Sequence, residues 1–140
     1  MSTYPDDNDR PSGSASIGVA PPHSIEAEQA VLGAILLSDK LLYSVVIDIG
    51  LRAADFYRER HATIFQAMLD LYSESEPIDV LTVTDRLRST GKLEEIGGSA
   101  VVDELAGPVP VVGNLRRYGQ IVREQARMRR LLTSTYEIQA

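Results

Sequence analysis

Residues 116–132 read RRYGQIVREQARMRRLL. Six arginines (Arg116, Arg117, Arg123, Arg127, Arg129 and Arg130) stand against one acid, Glu124. Asn114 is a good N-cap just upstream, so the stretch reads as a helix running from there to the end of the chain. Leu115, Tyr118, Ile121, Val122, Met128, Leu131, Leu132 and Tyr136 fall on one stripe of that helix. Arg116, Gln120, Arg123, Arg127, Arg130 and Ser134 fall on the opposite one. A helix of about 25 residues is about 37 Å long at its usual rise. A domain of about 100 residues has a radius of gyration of only about 13 Å. The helix should outrun its own domain, and the far end of its apolar stripe then needs a partner.

The rest of the chain has the opposite charge. Residues 1–114 hold 18 acids against 8 bases, a balance of −10, whereas residues 115–140 stand at +4. The 140 residues are 44% hydrophobic and 24% charged, ordinary for one folded domain. The longest apolar run, AVLGAILL, is too short to span a bilayer and is followed by Ser38 and Asp39. The acidic start resembles no secretory signal, and without cysteine there is no disulfide framework and no thiolate metal site. A cytoplasmic location is the expectation.

Residues 1–22 hold few large apolar groups and many turn formers, and are expected to be a disordered leader. Residues 23–110 read as a helical head. Ser24 should cap a first helix carrying Val31, Leu32 and Ile35, with Glu26 and Glu28 as solvated first-turn acids. Asp39 should cap a second over 40–49, ended by Gly50. The spacing of Ile64, Phe65, Met68, Leu69 and Leu71 predicts a third over 58–74, stopped by Pro77. A fourth follows over 80–89. LEEIGG reads as a turn, and a fifth, short helix spans 99–106. PVPVVG is an extended connector, and 111–140 hold the long helix. Strand signal is weak and confined to VPVV and IDVLTV. The fold class is all-α: a compact multi-helix head followed by one long protruding helix.

Reactive chemistry finds little support. Gly91-Lys92 is followed by Leu93, and Arg86 stands where a phosphate-binding loop needs its first glycine. His23 and His61 lie far apart, and no helix pairs a histidine with a ligand one turn away, so no metal, cofactor-binding or catalytic residue is assigned. His61 is expected to be half-buried and bonded to a backbone group, and the DFY at 55–57 to be core. The arginine stripe has three readings: phosphate contacts on DNA, a solvated face with pairs such as Arg123–Glu124, or the rim of a protein contact. Arg116, Arg123, Arg127 and Arg130 are the candidates for rim or nucleic acid. The acidic head and the lack of interleaved aromatics count against DNA.

The motifs SIEAEQAVLGAILL, DFYRERHATIFQAMLDLY, EPIDVLTV, LEEIGG, VPVVGN and YGQIVREQARMRRLL stand in this order with short spacers. The series resembles the N-terminal domain of bacterial replicative DNA helicases of the DnaB type, over about residues 22–140. The resemblance implies a collar module without enzymatic activity. Copies pair through a helical hairpin, whose first arm would be the long helix, into dimers and a trimer of dimers. The collar recruits a DnaG-type primase and is a target for a helicase loader. Contact with DNA is indirect, and no membrane is involved. ATP and magnesium belong to the family's C-terminal ATPase domain. The apolar stripe Leu115 to Tyr136 becomes the candidate subunit interface, and Val101, Leu132 and Ile138 the primase-contact candidates. Three positions depart from the family's usual residues: Val101 replaces tyrosine, Gly119 alanine and Ser75 glycine. The alternatives are a basic-helix single-stranded DNA-binding protein, or a stand-alone regulator that inserts into a helicase ring.

Overall fold

A computed structural model describes residues 20–107 and 114–139, with side chains as far as Ser134. The expected leader through residue 19 and the PVPVVG connector, with its VPVV strand signal, lie outside the described residues, as do the side chains of Tyr136 and Ile138. The helices are α1 (Ile25–Leu37), α2 (Leu41–Tyr43, continued by a π turn over Ser44–Ile49), α3 (Glu59–Ser73), α4 (Val80–Ser89), α5 (Leu93–Ile96), α6 (Ser99–Leu105) and α7 (Leu115–Gln139). A 3-10 turn, Ala53–Asp55, links α2 to α3. No strand occurs among the described residues, and IDVLTV enters α4.

Local chemistry sets most boundaries. Ser24 Oγ accepts from the Ala27 amide and starts α1 as expected. At α4, Asp79 and Thr82 cap each other reciprocally: Oδ1 accepts from the Thr82 amide and Oγ1 from the Asp79 amide, both at 2.9 Å. Asp39 does not cap α2. Lys40 holds that position without a side-chain bond, and Asp39 Oδ2 instead accepts from the Ile78 amide, tying α2 to the loop before α4. LEEIGG is more ordered than a turn: Leu93 and Ile96, three apart, are both buried and close one helical turn as α5.

α1 is the central element. It packs on α3, α6 and α7 at once, so Val31, Leu32 and Ile35 are completely buried. Each such side chain contributes about 1.5–3 kcal/mol of burial free energy. Phe65 and Phe56 face each other at 4.9 Å in the same core. The acids divide differently from expectation. Glu26 is exposed, but Glu28 is buried: its Oε2 accepts the Tyr57 amide at 2.6 Å and its Oε1 the Arg58 amide at 3.3 Å, with His61 Nδ1 2.8 Å from the same Oε1. His61 is therefore fully buried on a carboxylate, not half-buried on a backbone group. Free amides at the start of α3 have no intrahelical acceptor, and Glu28 supplies it from α1.

Candidate subunit and partner interface

The long helix is two regions in one. Its first half lies on the head, against α1, the π turn and the 3-10 turn. Leu115, Val122 and Ala126 are buried there, and Tyr118 and Ile121 pack partly against the same core. From Met128 the apolar side is open: Met128 is 42% exposed, Leu131 56% and Leu132 42%. The eight-residue stripe expected to face another subunit is thus split. Leu115 and Val122 are spent on the chain's own head, because α1 and α2 already form an apolar seat for them. Met128 and Leu132 stay exposed.

Arginines fasten the helix to its seat. Arg129 Nη1 donates to the Pro22 carbonyl and Nη2 to the Asp55 carbonyl, both at 2.8 Å. Its guanidinium also lies 5.3 Å over the Tyr57 ring, which stacks on His23 at 4.1 Å. Pro22 and His23 of the lead-in segment are therefore held in place, with His23 Nδ1 2.7 Å from the Pro21 carbonyl. Arg130 pairs with the buried Asp55 carboxylate, which also accepts the Arg52 amide at 2.9 Å. Arg123 donates to the Ile49 carbonyl at 2.9 Å, and Arg116 lies 3.6 Å from Asp48. Arg127 pairs along the helix with Glu124 at 3.8 Å; the intrahelical partner of that acid is not Arg123.

Four arginines thus do a job outside all three readings of the stripe: they pin the helix to its own domain. DFY likewise divides, with Asp55 as a buried acceptor, Phe56 in the core and Tyr57 at the surface beneath Arg129. Arg129, Asp55 and Tyr57 are anchoring positions whose contacts sequence reasoning missed. Two of Arg129's acceptors are backbone carbonyls, which leave no mark on a sequence.

Beside the exposed row, Ala20, Pro21, Pro22, Ala54, Ala126, Arg130, Leu132 and Thr133 line an open groove of about 850 Å³. Val101 is half-buried and lines a different, smaller cavity of about 270 Å³ with Glu26, Gln29, Arg60, His61 and Glu104. The structure does not bring Val101 and Leu132 to one site: they line separate cavities. Among the described residues no group of acids and histidines could hold a metal ion, and no helix is long and apolar enough to cross a membrane.

The family model described as DnaB-like helicase N terminal domain matches residues 20–124. The chain is 46% identical over 118 residues to the replicative DNA helicase DnaB of Geobacillus stearothermophilus, an alignment covering 84% of this chain and 26% of that protein. It is 43% identical over 118 residues to the replicative DNA helicase DnaC of Bacillus subtilis, covering 84% and 26%. The chain spans about a quarter of the length of the curated relatives it matches. Among solved structures, the crystal structure of the N-terminal domain of DnaB helicase from Mycobacterium tuberculosis superposes with a TM-score of 0.80 at 39% identity, covering 85% of each chain. A DnaB-like replicative helicase studied for its interactions with primase gives 0.70 at 28% identity, covering 82% of this chain and 27% of that one.

Proposed function

This chain belongs to the DnaB-like helicase N-terminal domain family, and on that footing we propose that it is the assembly and docking module of a replicative helicase, working in DNA replication in the cytoplasm. The observation that carries the reading is the division of α7. The helix is fastened to the head as far as Arg130 by Arg123, Arg129 and Arg130, while the apolar side chains of Met128 and Leu132, one turn apart, stay open. A rigidly held helix that presents apolar side chains loses little freedom on pairing, which favours association. The partner for this row is a second copy of the chain, pairing toward dimers and a trimer of dimers.

A DnaG-type primase is the second partner, supported by the similarity to a helicase studied with primase. Since Val101 and Leu132 line separate cavities, primase contact here would involve either the head or the distal helix with Ile138, or bridge two subunits. A helicase loader is a third candidate. ATP and magnesium would be bound by the ATPase region of the full-length relatives, leaving this chain without hydrolytic activity. Direct DNA binding by the arginine face is the weaker reading, because Arg116, Arg123 and Arg130 are already engaged within the chain.

The test is the solution mass by light scattering over a hundredfold range of concentration, at low and moderate salt. Dimers that persist in salt, and that Leu132→Asp dissolves, support apolar pairing. A monomer throughout, with single-stranded DNA binding that weakens steeply as salt rises, would replace this reading with the DNA one.

A further inference from the structure

The second half of α2 is unusual in its hydrogen bonding. Over Ser44–Ile49 the chain makes a π turn: the Gly50 amide reaches back five residues to the Val45 carbonyl, and Gly50 itself is left-handed at φ 78°. The Leu51 amide shares that carbonyl at 3.2 Å. Such turns are rare, usually a single inserted turn, and frequent at functional sites.

Three residues on one face of α7 meet this turn. Arg123 donates to the Ile49 carbonyl at 2.9 Å, an acceptor that a helix end otherwise leaves open. Gly119 is buried against Ile49, and a Cβ there would stand 2.7 Å from Ile49 Cδ1. The missing side chain is therefore the notch that Ile49 fills. Arg116 lies 3.6 Å from Asp48, which also accepts from Ser44 Oγ at 3.2 Å. Tyr43, just before this segment, is 54% exposed, and Ile47 within it 58%. An ordinary α register would take up one residue fewer between Val45 and Gly50, and one residue is about 100° of helix rotation.

We propose that Ser44–Ile49 is a two-position coupling element: α7, seated with Ile49 in the Gly119 notch and Arg123 on its carbonyl, holds the π register, and lifting α7 lets the segment close to an α turn and swings the exposed Tyr43 and Ile47. The proposal deepens the reading of α7 as the pairing arm and takes its purpose from it. A partner that tilts the distal helix would thereby alter a second surface at α2. The physical requirement for such coupling is a discrete element biased from both ends, and the test probes both.

Hydrogen exchange of the 140-residue chain, kept dilute and monomeric, reads the two segments separately. Arg123→Ala should speed exchange across 41–51 by roughly tenfold while α3 amides hold their protection. Reciprocally, deleting Ile47 removes the extra residue and should speed exchange across 115–126. Gly119→Ala should act like Arg123→Ala, and adding Ile49→Val, which deletes Cδ1, should restore slow exchange. Effects confined to each mutated segment overturn the proposal. Should a variant lose protection in α3 as well, the Gly119→Ala and Ile49→Val pair decides: rescue supports the coupling and simple additivity overturns it. Exchange is read on monomer, so a chain that never self-associates refutes the pairing reading and leaves this result intact.

Discussion

The two halves of α7 carry the same kind of apolar stripe and end in different surroundings. Leu115 to Ala126 is core, and Met128 to Leu132 is surface. Amphipathic spacing says that a face is to be covered, but not by which chain. The family match ends at Glu124, close to where the head's seat runs out. The seated half belongs to the fold of the domain, and the open half leaves its apolar side chains at the surface.

The comparison can be broken most forcefully by placing a charge on each half. Val122→Asp buries a carboxyl in the seat and should cost about 3–4 kcal/mol in chemical denaturation, enough to unfold much of a marginally stable domain. Leu132→Asp, on the open half, should change stability by less than about 0.5 kcal/mol and act on association alone. Equal losses at both positions would mean the halves are not distinct. A smaller contrast sets Arg129→Ala against Arg127→Ala. The first removes two charged-donor bonds to carbonyls and should cost about 1–2 kcal/mol. The second removes one exposed pair and should cost under about 0.5 kcal/mol.

Smaller still is Ser75→Gly. Ser75 is the one non-glycine residue at positive φ among the described residues, at 59° just past α3. Glycine there should stabilise the head by about 0.5–1 kcal/mol and leave the mass distribution unchanged, separating stability from association. The smallest effect is expected at Glu74. Arg86 Nη1 donates to it at 3.0 Å, and this hydrogen bond is the chief reason its carboxyl titrates below the usual glutamate range. Its contribution is present above the unfolded value and fades as pH falls through the folded one. Glu74→Gln should therefore lower stability slightly at neutral pH, leave the most acidic end nearly untouched, and so flatten the acid limb of the profile.

Much of the head was legible from residues alone. Ser24 and Gly50 mark their boundaries with local chemistry that needs no distant partner. The π turn was not legible, because Leu41, Val45 and Ile49 are spaced by four and satisfy an α register equally well. Glu28 and Asp55 read as solvated or core because their partners, the amides of Tyr57 and Arg58 and the guanidinium of Arg130, lie about 30 and 75 positions away. The interface suffered the same way. Periodicity picked out Leu115, Val122, Met128 and Leu132 but not the buried Ala126, and where the seat stops depends on the length of α1 and α2 as folded bodies.

One feature of the seat bears on mechanics. Arg123, Arg129 and Arg130 reach four acceptor groups on three residues from within two turns of one helix, and Arg129 grips the lead-in segment at Pro22 as well as the 3-10 turn at Asp55. A pull along the distal end of α7 would load these attachments side by side, in shear, instead of peeling them one after another. The pulling force would be shared between the start of the domain and its last helix, two ends more than 100 residues apart. A lever gripped in this way transmits torque into the whole head before it yields at its root.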